Sequence, residues 1–219
     1  FRGKNLGTSY TSEQQSQVAS GKFLDLWVGD YWVINDTRYY IAAFNYYINS
    51  GDTPLTTNHI TLVTAGRMYT HRMNPLGSTG SGYVGSEMYA TRLDLAKTKI
   101  HADFAGHVVN HRRYLSTETT EGQASDGAWF DSDVELMNEV MVYGSVVNGK
   151  GVYDSYNIGS EKSQLPLFTL RPDLVNIGTD WWLRDVVSAS QFASVSISGV
   201  ASKGYAPALY GVRPVFSIF

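Results

Sequence analysis

Cysteine is missing from this chain, which removes disulfides, thiolate metal sites and thiol nucleophiles at once. Charge is sparse as well: Asp, Glu, Lys and Arg make up 17% of the 219 residues, and no local cluster of lysine or arginine stands out. With a formal net charge of −3 the chain lacks the basic field that a phosphate backbone attracts, so nucleic acid is not an expected partner. No apolar run approaches the roughly 20 residues of a spanning helix, and membrane insertion is not expected either. No basic start followed by an apolar stretch opens the chain, and Phe1 in place of methionine fits a processed product or a piece of something longer.

Motifs that carry chemistry are also scarce. The Gly-rich "GSTGSGYVG" precedes a helical pattern but has no lysine where a phosphate-binding loop needs one. None of the five histidines forms HExxH; His107 and His111 share a side of a strand, without a carboxylate to complete a metal site. Asp126, Asp131, Asp133 and Glu135 crowd together but miss the glycine and final glutamate of an EF-hand loop, and the last three suit the first turn of a helix. With no nucleophile elbow and no framed carboxylate pair, no catalytic residue, metal ligand or cofactor is expected, and the chain reads as non-enzymatic.

What the chain has in excess is aromatic: 15 Tyr, 9 Phe and 5 Trp, beside 21 Gly. Tyrosine suits contact surfaces and, equally, the half-buried faces of β-sheets. Hydrophobic residues reach 43%, enough to bury a core.

Residues 1–23 are polar and aperiodic apart from a short helix near residues 12–19, and read as an arm or linker before one domain over 24–219. In "LWVGDYWVINDTRYYIAAF" two β-favouring runs flank Asn35-Asp36, predicting a hairpin, and residues 60–63 predict another strand. Val84, Met88, Leu93, Ala96, Ile100 and Phe104 fall on one face of a helix over 83–105; a second helix is expected over 133–143. "HVVNHRRYL" reads as a strand and "STETTEGQASDGA" as a surface loop. Strand-rich ends around two helices predict an α+β fold whose terminal strands meet in one sheet.

"WWLRDVVSAS", a Gly/Ser-rich stretch and "YGVRPVF" close the chain. This pairing resembles the end of the C-type-lectin-like domains found in bacteriophage virion proteins and bacterial surface proteins, related in fold to the formylglycine-generating enzymes. "VGDYWVIND", "YVGSEMYATRL", "VELMNEVMVYG" and "SQLPLFTLRPDL" resemble phage tail or virion proteins of this kind. The resemblance implies a lectin-like α+β domain with two helices and a mixed, mainly antiparallel sheet, in a tail or fibre protein of the virion. It implies attachment to a host receptor or glycan, contact with other virion proteins, and a homo-oligomer. A capsid or tail decoration protein acting only in assembly, and a bacterial adhesion module, are the alternatives. Calcium-dependent lectin segments are lacking, with only "RPD" at Arg171 to Asp173, and the absence of cysteine excludes the oxidase chemistry.

Within such a domain the contact surface is expected between the two end strands, at Gln191, Phe192, Ser194, Ser196, Lys203, Tyr205 and Tyr210. Trp181 and Trp182 would point to opposite faces of one strand, with Arg184 and Arg213 as structural guanidiniums donating to carbonyls or carboxylates.

Overall fold

Asn35 and Asp36 both adopt positive φ (45° and 62°) in the computed structural model, which describes residues 1–151 and 161–219. That geometry matches the twist of a tight hairpin. The turn joins β1 (Tyr31–Ile34) to β2 (Thr37–Phe44). The chain continues through β3 (Ile60–Thr64), β4 (Tyr69–His71), β5 (His111–Thr120), β6 (Gln123–Ser132) and β7 (Val134–Leu136). After a helical stretch come β8 (Trp181–Ser188), β9 (Gln191–Val195), β10 (Ala201–Tyr205), β11 (Tyr210–Val212) and β12 (Pro214–Ile218). The helices are α1 (Ser12–Ala19), α2 (Asp94–Asp103), α3 (Glu139–Tyr143) and α4 (Pro166–Leu170).

Among the described residues the strands form two five-stranded sheets, β1-β2-β3-β12-β7 and β10-β9-β8-β11-β4, with β5-β6 as a separate hairpin. The last strand pairs antiparallel with β3, matching Phe216 to Leu62 and Ile218 to Ile60, so the two ends of the sequence do meet in one sheet. The architecture is α+β with few helices and mainly antiparallel pairing; β8 and β11 are parallel neighbours, joined at Trp181 and Gly211.

Alternation along the strands sorts the side chains into layers. Val215 faces the space between the two sheets, with Met137, Phe168, Trp181 and Leu183. Its neighbour Phe216 faces outward, against Trp32, Tyr39, Ile100 and Phe104, where α2 covers the first sheet. Trp182 points away from Trp181, toward Leu115, Leu136, Val186 and Phe192 on the far side of the second sheet. The two indoles are therefore split between two layers, both fully buried. A side chain of this size removes roughly 200 Å² from water. At ~25 cal/mol per Å² that is about 5 kcal/mol each, an upper figure because unfolded chains already hide part of the area.

Several expected elements take a different form. Instead of one helix over 83–105, a π-helical turn (Met88–Arg92) runs into α2, and residues 83–86 form turns and a bend. Backbone amides there have other acceptors: Val84 donates to the Ser116 carbonyl, Met88 to Met73, and the Tyr89 amide to the Ser86 hydroxyl. The expected apolar face is buried at Met88, Leu93, Ala96, Ile100 and Phe104, while Val84 is half-buried. Over 133–143, residues Val134 to Leu136 are a strand beside β12, and only Glu139–Tyr143 is helical, capped by Asn138 accepting from the Met141 amide. The apolar spacing fits both conformations, and an unfilled edge of β12 decides for the strand. Asp131, Asp133 and Glu135 consequently do not sit in a helical first turn: Asp131 is on β6 and Glu135 is buried on β7. The polar "STETTEGQASDGA" is not a loop but the distal part of the β5-β6 hairpin, turning at Glu121 and Gly122, both at positive φ.

The polar first segment lies against the rest of the chain. Its helix α1 forms as expected, with a capping box between Thr11 and Gln14. Tyr10 and Val18 enter the layer under α2, and the amide of Leu6 donates to the Tyr31 carbonyl along β1. The buried Asp30 carboxylate receives the Arg2 guanidinium and the Lys4 amide (2.9 Å).

Candidate ligand-binding face

The segment between the two end strands is a β-hairpin continuing the second sheet. β9 pairs with both β8 and β10, and Lys203 lies opposite Ala193. Of the seven residues expected to form a contact surface, Phe192 and Ser194 are buried, so they present no side chain to solvent. β9 runs between two filled layers: Phe192 packs with Trp182 in one, Ala193 and Val195 with Trp181 in the other, so four successive residues are buried. Gln191 and Ser196 are half-buried, and Lys203 and Tyr205 are exposed. Tyr210 stacks on Trp182, ring centroids 4.5 Å apart and planes 29° from parallel.

Gly204 makes that stack possible. A Cβ at this position would come within 2.5 Å of both the Trp182 and Tyr210 rings. Gly204→Ala is therefore expected to destabilise the protein by about 1–3 kcal/mol through overpacking. Loss of the Tyr210 ring-current shift in NMR spectra would accompany it; an unshifted unfolding midpoint would contradict the role of the stack.

Behind this face the charged residues of the end segments are internal. Arg213 is fully buried, with its guanidinium carbon 5.0 Å from the Trp181 ring centroid and 5.3 Å from that of Phe168. It donates through Nε to the Thr64 carbonyl (2.9 Å) and through Nη1 to the Leu174 carbonyl (3.0 Å). Arg184 donates to the Leu136 carbonyl (3.0 Å) and to Glu161 (2.8 Å), both side chains being fully buried. Asp185 accepts from the Glu139 amide, and the Glu139 carboxylate accepts the amides of Val147, Asn148 and Gly149. These contacts tie β8 to β7, α3 and the following loop.

A column of polar and aromatic groups crosses the interior beside Glu161. Arg113 lies 3.6 Å from that carboxylate and over the Tyr47 ring, at 4.9 Å. Tyr47 in turn packs on His111, with centroids 4.1 Å apart, and stacks on His59. His59 is fixed as a neutral tautomer, donating through Nδ1 to the Thr57 carbonyl while Nε2 accepts the Tyr47 amide. Burial, seconded by the charge of Arg113, pushes His111 down to about 3. Its Nδ1–H donates to the Arg112 carbonyl. His107 instead donates to the carbonyl of Phe219, so the two histidines expected on one side of a strand do not meet. No cluster of three or more His, Asp or Glu suited to a metal occurs among the described residues.

Two clefts open onto this framework. One, of about 370 Å³, lies over His111 and is bounded by residues 53–57, Asn110, Arg112 and Asp131. Its rim is closed by Arg112, which pairs with Asp52 at 2.7 Å. The other, of about 510 Å³, runs where the β1-β2 turn, the β3-β4 connection and α2 converge, and Arg38, Arg67 and Tyr69 line it. Sequence reading missed both because each gathers residues from segments far apart in the chain. Arg38 had one local signal, its place beside the Asn35-Asp36 turn.

The fold and these clefts define an α+β protein of mainly antiparallel sheets with buried arginines in its end strands. Comparison with protein-family models, with curated proteins and with solved structures finds no match.

Proposed function

We propose that this chain is a non-enzymatic bacteriophage virion protein, a tail or fibre component whose C-type-lectin-like domain attaches the particle to the host surface. One observation carries most weight: the "WWLR" strand lies parallel and adjacent to the "GVRP" strand, whose continuation pairs with β3 of the first sheet. The sequence resemblance implies only that these two strands lie near each other at the end of the domain, and their adjacency supports the reading. The arginines of both motifs hold the sheets together from inside, leaving the exposed side of β10, at Lys203 and Tyr205, free to vary. Lys203 and Tyr205 on this hairpin are the exposed residues in best position for a receptor or glycan.

A second reading, particle assembly alone, draws support from Leu76, Tyr205 and Leu209, which are 75%, 54% and 68% exposed. Apolar side chains of this kind suit contacts between copies or with other virion proteins. Labelling intact particles with an antibody to this chain separates the two. Attachment requires labelling at the outer end and loss of adsorption with Tyr205→Ala and Lys203→Ala in assembled particles. Unchanged adsorption by those particles leaves assembly as the better account, and absence of the chain from purified particles removes both.

A further inference from the structure

We infer that the groove between the β1-β2 turn, the β3-β4 connection and α2 binds an anionic saccharide, one bearing carboxylate or phosphate groups. The inference goes beyond host attachment and does not depend on it.

The groove holds two arginines that the fold orders without neutralising. Arg38 lies over the Tyr31 ring, its guanidinium carbon 4.3 Å from the centroid, and donates to the Tyr40 hydroxyl. Arg67 rests its stem on Gly211, where an added Cβ would come within 2.9 Å of the Arg67 Cβ. Gly211 belongs to the "GVRP" segment, so the fold marker itself makes room for this side chain. Neither arginine has a carboxylate within salt-bridge distance among the described residues, whereas Arg2, Arg72, Arg92, Arg112 and Arg171 all do. Lys99, also on the groove, is engaged with Asp103 at 3.0 Å. Asp36 at the turn is the one carboxylate among the lining residues. Two guanidiniums without a carboxylate partner among the described residues, in a chain of net charge −3, make a local positive site.

The remaining surface favours a saccharide over an acidic peptide. Backbone groups around the groove are already paired: the Ala65 amide donates to the Arg38 carbonyl, Met68 to Val212, and the Thr64 hydroxyl to Gly66. The bordering edge strand β4 has only three residues, too few to template an added strand. What lines the groove instead is residues with polar and aromatic side chains: Arg38 and Arg67, whose planar forks suit carboxylate or phosphate, Thr37, and Tyr69, held by its hydroxyl donating to the Arg92 carbonyl. Its volume of about 510 Å³ is that of a site for a short oligosaccharide.

The test is calorimetric titration of the purified full chain with tetragalacturonate, with its neutral methyl ester, and with sodium phosphate. The expected result is binding of the acid that weakens as salt rises, and that falls about tenfold or more in Arg38→Ala and in Arg67→Ala. Arg38→Lys should retain part of the affinity, and Lys22→Ala, an exposed cation outside the groove's lining, all of it. Both groove arginines are exposed, so unchanged thermal midpoints should accompany the loss. No binding of the acid, equal binding of the ester, equal affinity for phosphate alone, or indifference to both alanine variants would each overturn the inference.

Discussion

Replacing Glu161 with glutamine is expected to lower the unfolding free energy by about 3–5 kcal/mol, a large share of what a domain of this kind has. Glu161 is fully buried, 2.8 Å from Arg184 and 3.6 Å from Arg113, both also fully buried. Glutamine keeps the shape and loses the charge, leaving two guanidiniums in the interior without this counterion. Arg184→Met should cost less, because Arg113 still faces the carboxylate and the Leu136 carbonyl loses only one donor. A double-mutant cycle on Glu161 and Arg184, read by urea denaturation, should give a strong favourable coupling. A Glu161→Gln protein within about 1 kcal/mol of the parent would show that the cluster contributes little to folding.

Stability should also fall steeply on mild acidification, and His111 should be a principal cause. In the unfolded chain its imidazole takes a proton near the usual value, about 6.5. In the folded protein burial, and then Arg113, hold it down to about 3, against a smaller opposing pull from Glu161. Between these two values the unfolded state binds more protons, so the stability present above about pH 6.5 declines as pH falls toward 3. At 1.36 kcal/mol per unit the full effect is on the order of 5 kcal/mol. His59, also lowered by burial, adds to it with the same sign. Denaturation midpoints of the parent should drop from pH 7 to pH 4, and His111→Phe, keeping a ring against Tyr47, should flatten much of that slope. An identical slope in the variant would remove His111 from the explanation.

Both predictions concern residues whose importance the sequence hides. His111 was legible only as half of a spacing with His107, and four residues apart means one side of a strand only if both are in it. The chain enters β5 at His111, while His107 lies outside it and donates to the terminal carbonyl. Glu161 gives no local signal: its partners come from β5 and β8, and nothing in the sequence says that these strands converge. The arginines were more legible. Arg184 and Arg213 stand between apolar residues of strand-forming runs, which is what a buried guanidinium looks like in sequence, and both donate to main-chain carbonyls as expected.

Phe192 and Ser194 show where composition misleads. A mixed, small-residue stretch looks like an adaptable loop, yet here it is a strand between two filled layers, so the successive residues Phe192 to Val195 are all buried. The length of the helices was overestimated for a related reason. Apolar spacing records which residues are buried, and a strand edge or a set of competing acceptors can use the same residues without an α-helix.

By itself the sequence determined the hairpin at Asn35-Asp36, the division of Trp181 and Trp182 between two faces, the α+β class and the joining of both chain ends in one sheet. All of these follow from local rules: turn residues that tolerate positive φ, side chains alternating along a strand, and apolar runs that need cover. Only the tertiary structure decided which charges are paired and which stand free. It brings Glu161 between two buried arginines, and it lines one groove with Arg38 and Arg67, neither within salt-bridge distance of a carboxylate among the described residues. Ion pairing depends on distances of a few ångströms between segments far apart in the chain, and those distances exist only once the sheets have packed.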